Sequence, residues 1–358
     1  MQLTQLTFTR FIAAMTVVFF HYGQTIFPAN IPFLYENITA GPIAVGYFYI
    51  LSGFIMAIAY YETDENKRLK FKKATYWIAR LARIYPVYII ALLIVAAAKF
   101  KTLGQDWETL PLHLVLLQSW VPGYPITLNT PGWSLSVEAF FYLCFPFLLL
   151  WIYKKGIKSF MIVAIILWFI TQAILLLKLN SDAYAPKSLL HDFIYYNPLM
   201  HLNQFLLGIV AGISFKKAQN DTIGTYNGFF LILTLLSMFV IIWGRPHLES
   251  ILGIKLAFTN GLLAPFFILS ILFFARNKGL ISRIFNYPLL VLLGEASYSL
   301  YILQKPVYGV YDRIVVPRIN INETLHFYMF LVVLIIVSIA SFKFFETPMR
   351  KLINKKFS

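Results

Sequence analysis

The sequence predicts an all-α polytopic membrane protein of about ten transmembrane helices with both termini cytoplasmic. Three observations carry this: an apolar composition, ten apolar runs of spanning length, and a one-sided distribution of Lys and Arg. Of the 358 residues, 59 % are hydrophobic and only 13 % charged. A water-soluble domain carries about 25 % charged residues, so this chain has too few to cover its surface in water. Aromatic residues reach 18 %, which suits lipid-facing surfaces and interfacial belts. A formal net charge of +15 would on its own suggest nucleic acid; the composition excludes that partner in favour of the lipid bilayer. The single cysteine, Cys144, excludes an internal disulfide and any Cys-based metal site.

Runs of about 17–25 apolar residues are long enough to cross a bilayer. They fall at 6–26, 42–61, 77–98, 133–153, 159–178, 193–215, 227–243, 256–275, 288–309 and 326–345. The first has no basic residue before Arg10 and holds Arg10 and His21 inside its apolar stretch. It therefore reads as an uncleaved helix rather than a signal peptide. Ten spans put both termini on one side. With that side taken as cytoplasmic, 19 Lys and Arg residues lie in inner loops and the C-terminal tail, against 9 in outer loops. This follows the positive-inside rule and makes much of the positive charge a topology signal. The longest gap, 99–132, then lies outside. It contains 110–121, apolar but too short to span, which reads as re-entrant or interfacial. The chain shows no internal repeat and no appended soluble domain, so 1–358 is expected to be one integral-membrane domain.

Polar groups inside a span are costly and are functional candidates by default. Arg10 and His21 are eleven residues apart; eleven steps of about 100° bring both onto one helix face, roughly 16 Å apart along the axis. Either alone could be a snorkelling Arg or a His satisfied by a carbonyl, but two on one face point to a lined cavity. Ser134 and Glu138 are i,i+4 neighbours at the outer end of the fourth run. Glu138 is either solvated at the interface or placed to orient His21 and raise its basicity. Ser52 and Gly53 lie mid-way along the second run and read as small residues for close helix packing. Arg80 and Arg83, with the Lys67–Lys73 cluster, suit topology and also phosphate recognition through the guanidinium fork. Glu295, His201 with Asn203, and Gln304 are weaker candidates of the same kind. The six histidines never take metal-ligand spacing, so no metal is expected. A Walker A loop, a G-x-S-x-G elbow and a dinucleotide fingerprint are all missing from the sequence.

An ordered set of short segments resembles the bacterial membrane acyltransferases of the acyltransferase-three family, within the wider transmembrane acyl-transferase group. The set is Arg10-Phe11-Ile12-Ala13-Ala14 with His21, Phe48-Tyr49-Ile50-Leu51-Ser52-Gly53-Phe54, Arg80-x-x-Arg83 with Pro86, and Trp133-Ser134-Leu135-Ser136-Val137-Glu138 leading to Tyr142. Phe205-Leu206-Leu207-Gly208, Ser297-Tyr298-Ser299-Leu300-Tyr301 and Phe345-Glu346-Thr347-Pro348 follow. No piece is specific alone; the order, over nearly the whole chain, is. One departure is Gln304 before Lys305-Pro306, where many members carry histidine.

The resemblance implies a multi-pass protein of the bacterial cytoplasmic (inner) membrane that O-acylates, most often O-acetylates, a cell-surface or lipid-linked carbohydrate. The donor would be cytoplasmic acyl-CoA, most often acetyl-CoA, as co-substrate, with no permanently bound cofactor. An O-succinyltransferase of the same family, and a transporter or flippase of lipid-linked glycan, are the alternatives. Some relatives carry a fused extracytoplasmic domain that completes transfer; this chain is expected to transfer directly or through a separate extracytoplasmic partner. On this reading Arg80, Arg83 and Arg10 bind the donor, His21 is the base, and Glu138 orients it. Ser134 or Ser136 binds the acceptor or the oxyanion, and loop 99–132 sets acceptor specificity.

Overall fold

A computed structural model describes residues 3–62, 69, 71–100, 104–218 and 227–357. Lys67, Arg68 and Lys70 of the expected basic cluster lie outside them. The helices run in order α1 (Gln5–Tyr22), α2 (Pro32–Ile38), α3 (Gly41–Tyr60), α4 (Lys73–Ala98), α5 (Leu110–Leu114), α6 (Trp133–Lys155), α7 (Ile157–Leu179) and α8 (Leu189–Tyr196). They continue as α9 (Pro198–Lys217), α10 (Asn227–Trp243), α11 (Arg245–Leu252), α12 (Ala264–Arg276), α13 (Leu280–Phe285), α14 (Pro288–Ile314), α15 (Glu323–Ser341) and α16 (Thr347–Phe357). Among the described residues there is no strand.

Local chemistry sets the breaks. Proline stands in the first turn of α2, α3, α5, α9 and α14, where its missing N–H costs nothing. Asn197 caps α9 by accepting from Leu199 N at 3.0 Å, and Asn322 caps α15 by accepting from Leu325 N at 2.8 Å. Gly156, at φ +85°, separates α6 from α7. Near the C-terminus Pro348 removes a backbone donor and crowds the carbonyl four residues earlier. The helix widens there into a π turn, Phe342–Glu346.

Six helical stretches are long and apolar enough to cross a membrane: Pro32–Tyr60, Lys73–Ala98, Thr130–Lys155, Ile157–Leu179, Leu189–Lys217 and Glu323–Phe357. A seventh counts if Gly228–Trp243 and Arg245–Leu252, bent by 56°, form one span. Length and composition thus support fewer spans than the ten expected. Each expected run holds a helix, but three fall short for identifiable reasons. Helix α1 carries Arg10 and His21, and α14 carries Glu295, Lys305, Asp312 and Arg313. Helix α12 has only 13 residues because Gly261, at φ +104°, turns the chain before it.

The packing of α1, α3, α9 and α14 positions the site. Helices α3 and α9 touch backbone to backbone: a Cβ on Gly208 would lie 2.2 Å from the Ile50 carbonyl oxygen, and one on Gly53 2.3 Å from that of Phe205. This gives Gly53 its packing role. The segment at 110–121 folds back among the helices. Tyr85 and Tyr88 of α4 donate to the carbonyls of Leu114 (3.0 Å) and His113 (2.7 Å). Ser136 Oγ of α6 donates to the Leu116 carbonyl at 2.6 Å. These bonds anchor the segment midway along α4 and at the start of α6.

Candidate active site

One polar face of α1 serves two cavities. Toward the start of α1, a cavity of about 210 Å³ is lined by Arg10, Ser52, Arg80, Arg83, Ser134 and Glu138, with Tyr142 and Tyr298 beside them. Six separately predicted residues, from four helices, therefore meet in one place. Toward the end of α1, a second cavity of about 370 Å³ holds His21. Val45 and Tyr301 line both cavities and form part of the wall between them.

In the first cavity Glu138 accepts hydrogen bonds from Tyr142 and from Ser52 Oγ, the latter at 3.4 Å. Arg80 donates to Tyr60 at 3.1 Å and lies 5.5 Å from that ring and 5.9 Å from the rings of Tyr76 and Tyr142. Aromatic faces thus hold this cation. Among the described residues, no carboxylate lies within ion-pair distance of Arg10 or Arg83. Three guanidinium groups around one cavity, two of them unpaired, form a site for anionic or strongly polarised oxygen. A neighbouring cavity of about 470 Å³ shares Leu3, Thr7 and Ile55 with it and carries Lys216 and Glu295. Lys216 Nζ there donates to the carbonyls of Ile58 (3.0 Å) and Tyr61.

Glu346 is a buried carboxylate outside the candidates singled out from the sequence, and it lines neither cavity. It is 3 % exposed and accepts from Ser299 Oγ at 3.0 Å. From the π turn it acts electrostatically on Arg83, Arg10 and Arg350. The available signal was the segment Phe345-Glu346-Thr347-Pro348, one residue beyond the last expected span.

His21 is held by a different partner from the one expected. Gln304, fully buried, donates through Nε2 to the Tyr301 carbonyl at 2.7 Å, which turns its Oε1 toward the imidazole. Since Oε1 can only accept, the 2.9 Å contact from His21 Nδ1 places the ring proton on Nδ1 and leaves the lone pair on Nε2. Glu138 faces the other cavity, with its Oε1 bonded to Tyr142 and Ser52, so the contact expected from Glu138 to His21 belongs to Gln304 instead. The departure from the family histidine keeps a hydrogen bond to His21.

The two serines also separate. Ser134 Oγ accepts from Tyr301 at 2.9 Å and donates to the Pro131 carbonyl at 3.0 Å, at the boundary between the cavities. Ser136 lines neither cavity: fully buried, it bonds the Leu116 carbonyl and pins the segment at 110–121. That contact consumes the hydroxyl expected to bind acceptor or oxyanion. Gly53 lies in the α3–α9 contact, off the cavity surface, while its neighbour Ser52 is on it. His201 was a minor candidate; it lines the His21 cavity. Among the described residues, no group of three or more His, Cys, Asp or Glu could hold a metal ion.

The acyltransferase-domain family matches residues 3–343. The chain is 38 % identical to Acyltransferase MdmB of Streptomyces mycarofaciens over 156 residues, covering 40 % of this chain and 38 % of that protein. It is 25 % identical over 379 residues to Staphylococcus aureus proteins provisionally named O-acetyltransferase, covering 96 % of this chain and 56 % of theirs. An uncharacterized Haemophilus influenzae protein is 28 % identical over 211 residues, covering 54 % of this chain and 83 % of that one. The chain spans about two fifths to just over half the length of the first two relatives. No solved structure matches. With the family match over residues 3–343, and with the arginine cavity lined by residues from the segments that carry the resemblance, the chain belongs to the acyltransferase-three family of membrane acyltransferases.

Proposed function

We propose that the chain moves an acyl group, acetyl above others, from acyl-CoA to a hydroxyl of a cell-surface or lipid-linked carbohydrate. The observation that carries this reading is the division of one helix face: Arg10 opens into an arginine-rich cavity and His21 into a separate one, with Val45 and Tyr301 lining both. The donor enters from the side where α1 begins, which we assign to the cytoplasm on the Lys and Arg asymmetry. All ten helical runs cross the bacterial cytoplasmic membrane on this assignment, with both termini inside.

Arg80 and Arg83 hold the phosphates of CoA, and Arg10 holds the amides of the extended pantetheine arm. The acyl carbon reaches the wall at Val45 and Tyr301. There the acceptor oxygen attacks it: the C–O bond forms, the C–S bond breaks, and the hydroxyl proton passes to His21 Nε2. The same proton then neutralises the departing CoA thiolate, so atoms and charge balance without a metal or redox partner. Gln304 stabilises the imidazolium through its bond to Nδ1. General-base help of this kind is worth about 10²–10⁴ in rate.

The test is protein reconstituted in liposomes with radiolabelled acetyl-CoA, wild type beside His21→Ala. Loss of label from CoA in the wild type alone is the expected result. Equal turnover by both proteins removes His21 as base. A wild type that neither binds nor consumes acetyl-CoA or succinyl-CoA leaves two readings, a missing acceptor or partner protein, or a transporter.

A further inference from the structure

A groove on the exposed side of α4 belongs to neither the arginine cavity nor the His21 cavity. Its volume is about 450 Å³, and it shares no lining residue with either. Ile78, Leu81 and Tyr85 of α4 form one wall, Val115 of the 110–121 segment a second, and Ile353 and Phe357 of α16 a third. The Tyr85 hydroxyl is spent on the Leu114 carbonyl at 3.0 Å, and every other lining side chain is apolar. Water has nothing to hold it there, and an empty groove would forfeit dispersion contacts along each wall.

An apolar occupant is either a partner helix or a lipid chain. A helix about 10 Å across fills roughly 420 Å³ in one turn, so the groove would grip a partner helix over a single turn. A slender, flexible acyl chain fits its full length. Lipid tails are as apolar as the groove, so the chain gains little by entering, and selection among lipids falls to the headgroup. Helix α16 carries Arg350, Lys351, Lys355 and Lys356 and no acidic residue among its 11. At about 100° per residue, Ile353 and Phe357 lie within roughly 40° of each other, Arg350 and Lys356 flank them, and Lys351 and Lys355 lie on the opposite side. Arg350 already acts on Glu346. Lys356 is exposed, and its Nζ stands 5.6 Å from the centroid of the Phe357 ring, which puts a cation at the edge of the groove.

We infer that this groove holds one acyl chain of an anionic phospholipid, whose phosphate sits against Lys356 near the end of α16. The bound lipid ties α4, the 110–121 segment and α16 together at one place. The inference does not depend on the transferase reading, because the groove is separate from both cavities.

The test uses the full chain in phosphatidylcholine nanodiscs at physiological salt. A trace of phosphatidylglycerol, or of phosphatidylcholine, carries a photoactivatable group in one acyl chain, and mass spectrometry maps the cross-linked peptides. Screening beyond about 8 Å confines the effect to nearby charges. One basic contact is worth about fivefold in binding, so phosphatidylglycerol should label α4 at 78–85 about five times more than phosphatidylcholine does. Lys356→Gln should remove that preference, and Lys355→Gln, on the opposite side of α16, should keep it. Val115 is 62 % exposed, so Val115→Trp fills the groove without disturbing the packing and should abolish labelling there by both lipids. Equal labelling by the two lipids in the wild type overturns the inference. So does an equal loss in Lys355→Gln and Lys356→Gln, which marks general attraction to a basic helix, and so does labelling that persists in Val115→Trp. Dimers that Val115→Trp dissolves would give the groove to a second copy of the chain and overturn it as well.

Discussion

Replacing Gln304 with leucine tests the orientation of the base most cleanly. The substitution keeps approximate volume, removes the acceptor 2.9 Å from His21 Nδ1, and removes the donor 2.7 Å from the Tyr301 carbonyl. In the ground state each lost bond is between neutral groups and is worth about 1 kcal/mol. In the transition state His21 becomes an imidazolium, and a hydrogen bond from a charged donor is worth about 1.5–3 kcal/mol. Only the difference, about 0.5–2 kcal/mol, raises the barrier, so the chemical step should slow by about 2- to 30-fold. The acetyl-CoA KM should stay unchanged, because Gln304 does not line the arginine cavity. Gln304→His supplies an acceptor nitrogen at the same place and should recover most of the rate. Single-turnover release of labelled acetyl from acetyl-CoA in proteoliposomes gives the rate. Folding is checked by gel filtration in mild detergent. A folded Gln304→Leu protein within twofold of wild type would refute the argument, and failure of histidine to rescue would assign Gln304 to packing.

Two further predictions concern the scaffold. Gly208→Ala places a methyl 2.2 Å from the Ile50 carbonyl oxygen, so α3 and α9 must move apart. Overpacking of this kind costs about 1–3 kcal/mol, and denaturation in mixed micelles should show that loss; an unchanged midpoint would contradict the backbone contact. Ser136→Ala removes the 2.6 Å bond to Leu116. Buried hydrogen bonds in membrane proteins average about 0.6 kcal/mol and reach about 1.7, so destabilisation in that range is expected with chemistry intact. A large loss of turnover from a stable Ser136→Ala protein would return this serine to the active site.

The helices were legible because lipid imposes length and apolarity on each span, and the runs at 133–153 and 159–178 fall within three residues of α6 and α7. The eleven-residue spacing of Arg10 and His21 was legible for the same reason: a helix face is a local property. The His21–Gln304 contact joins residues 283 apart, and no local pattern announces it. Glu346 turns inward only because the helix widens into a π turn before Thr347-Pro348, which a uniform helical period does not anticipate. Serines defeat sequence reading in another way. Ser134 and Ser136 share a segment and a residue type, yet one lines the arginine cavity and the other is spent on the 110–121 segment. The short start of α12 depends on Asn260, whose side chain donates to the Ile194 carbonyl at 2.9 Å, a tertiary contact that interrupts an apolar run.

The central claim is that donor binding and proton transfer occupy separate cavities joined by one face of α1. Calorimetric titration of acetyl-CoA into nanodisc-held protein, comparing wild type, Arg83→Ala and His21→Ala, tests it directly. Arg83→Ala should weaken donor binding at least tenfold, since an unpaired guanidinium on phosphate is lost. His21→Ala should bind the donor as the wild type does while transferring about 10²–10⁴ more slowly. Donor binding that falls equally in both variants would contradict the division of the site.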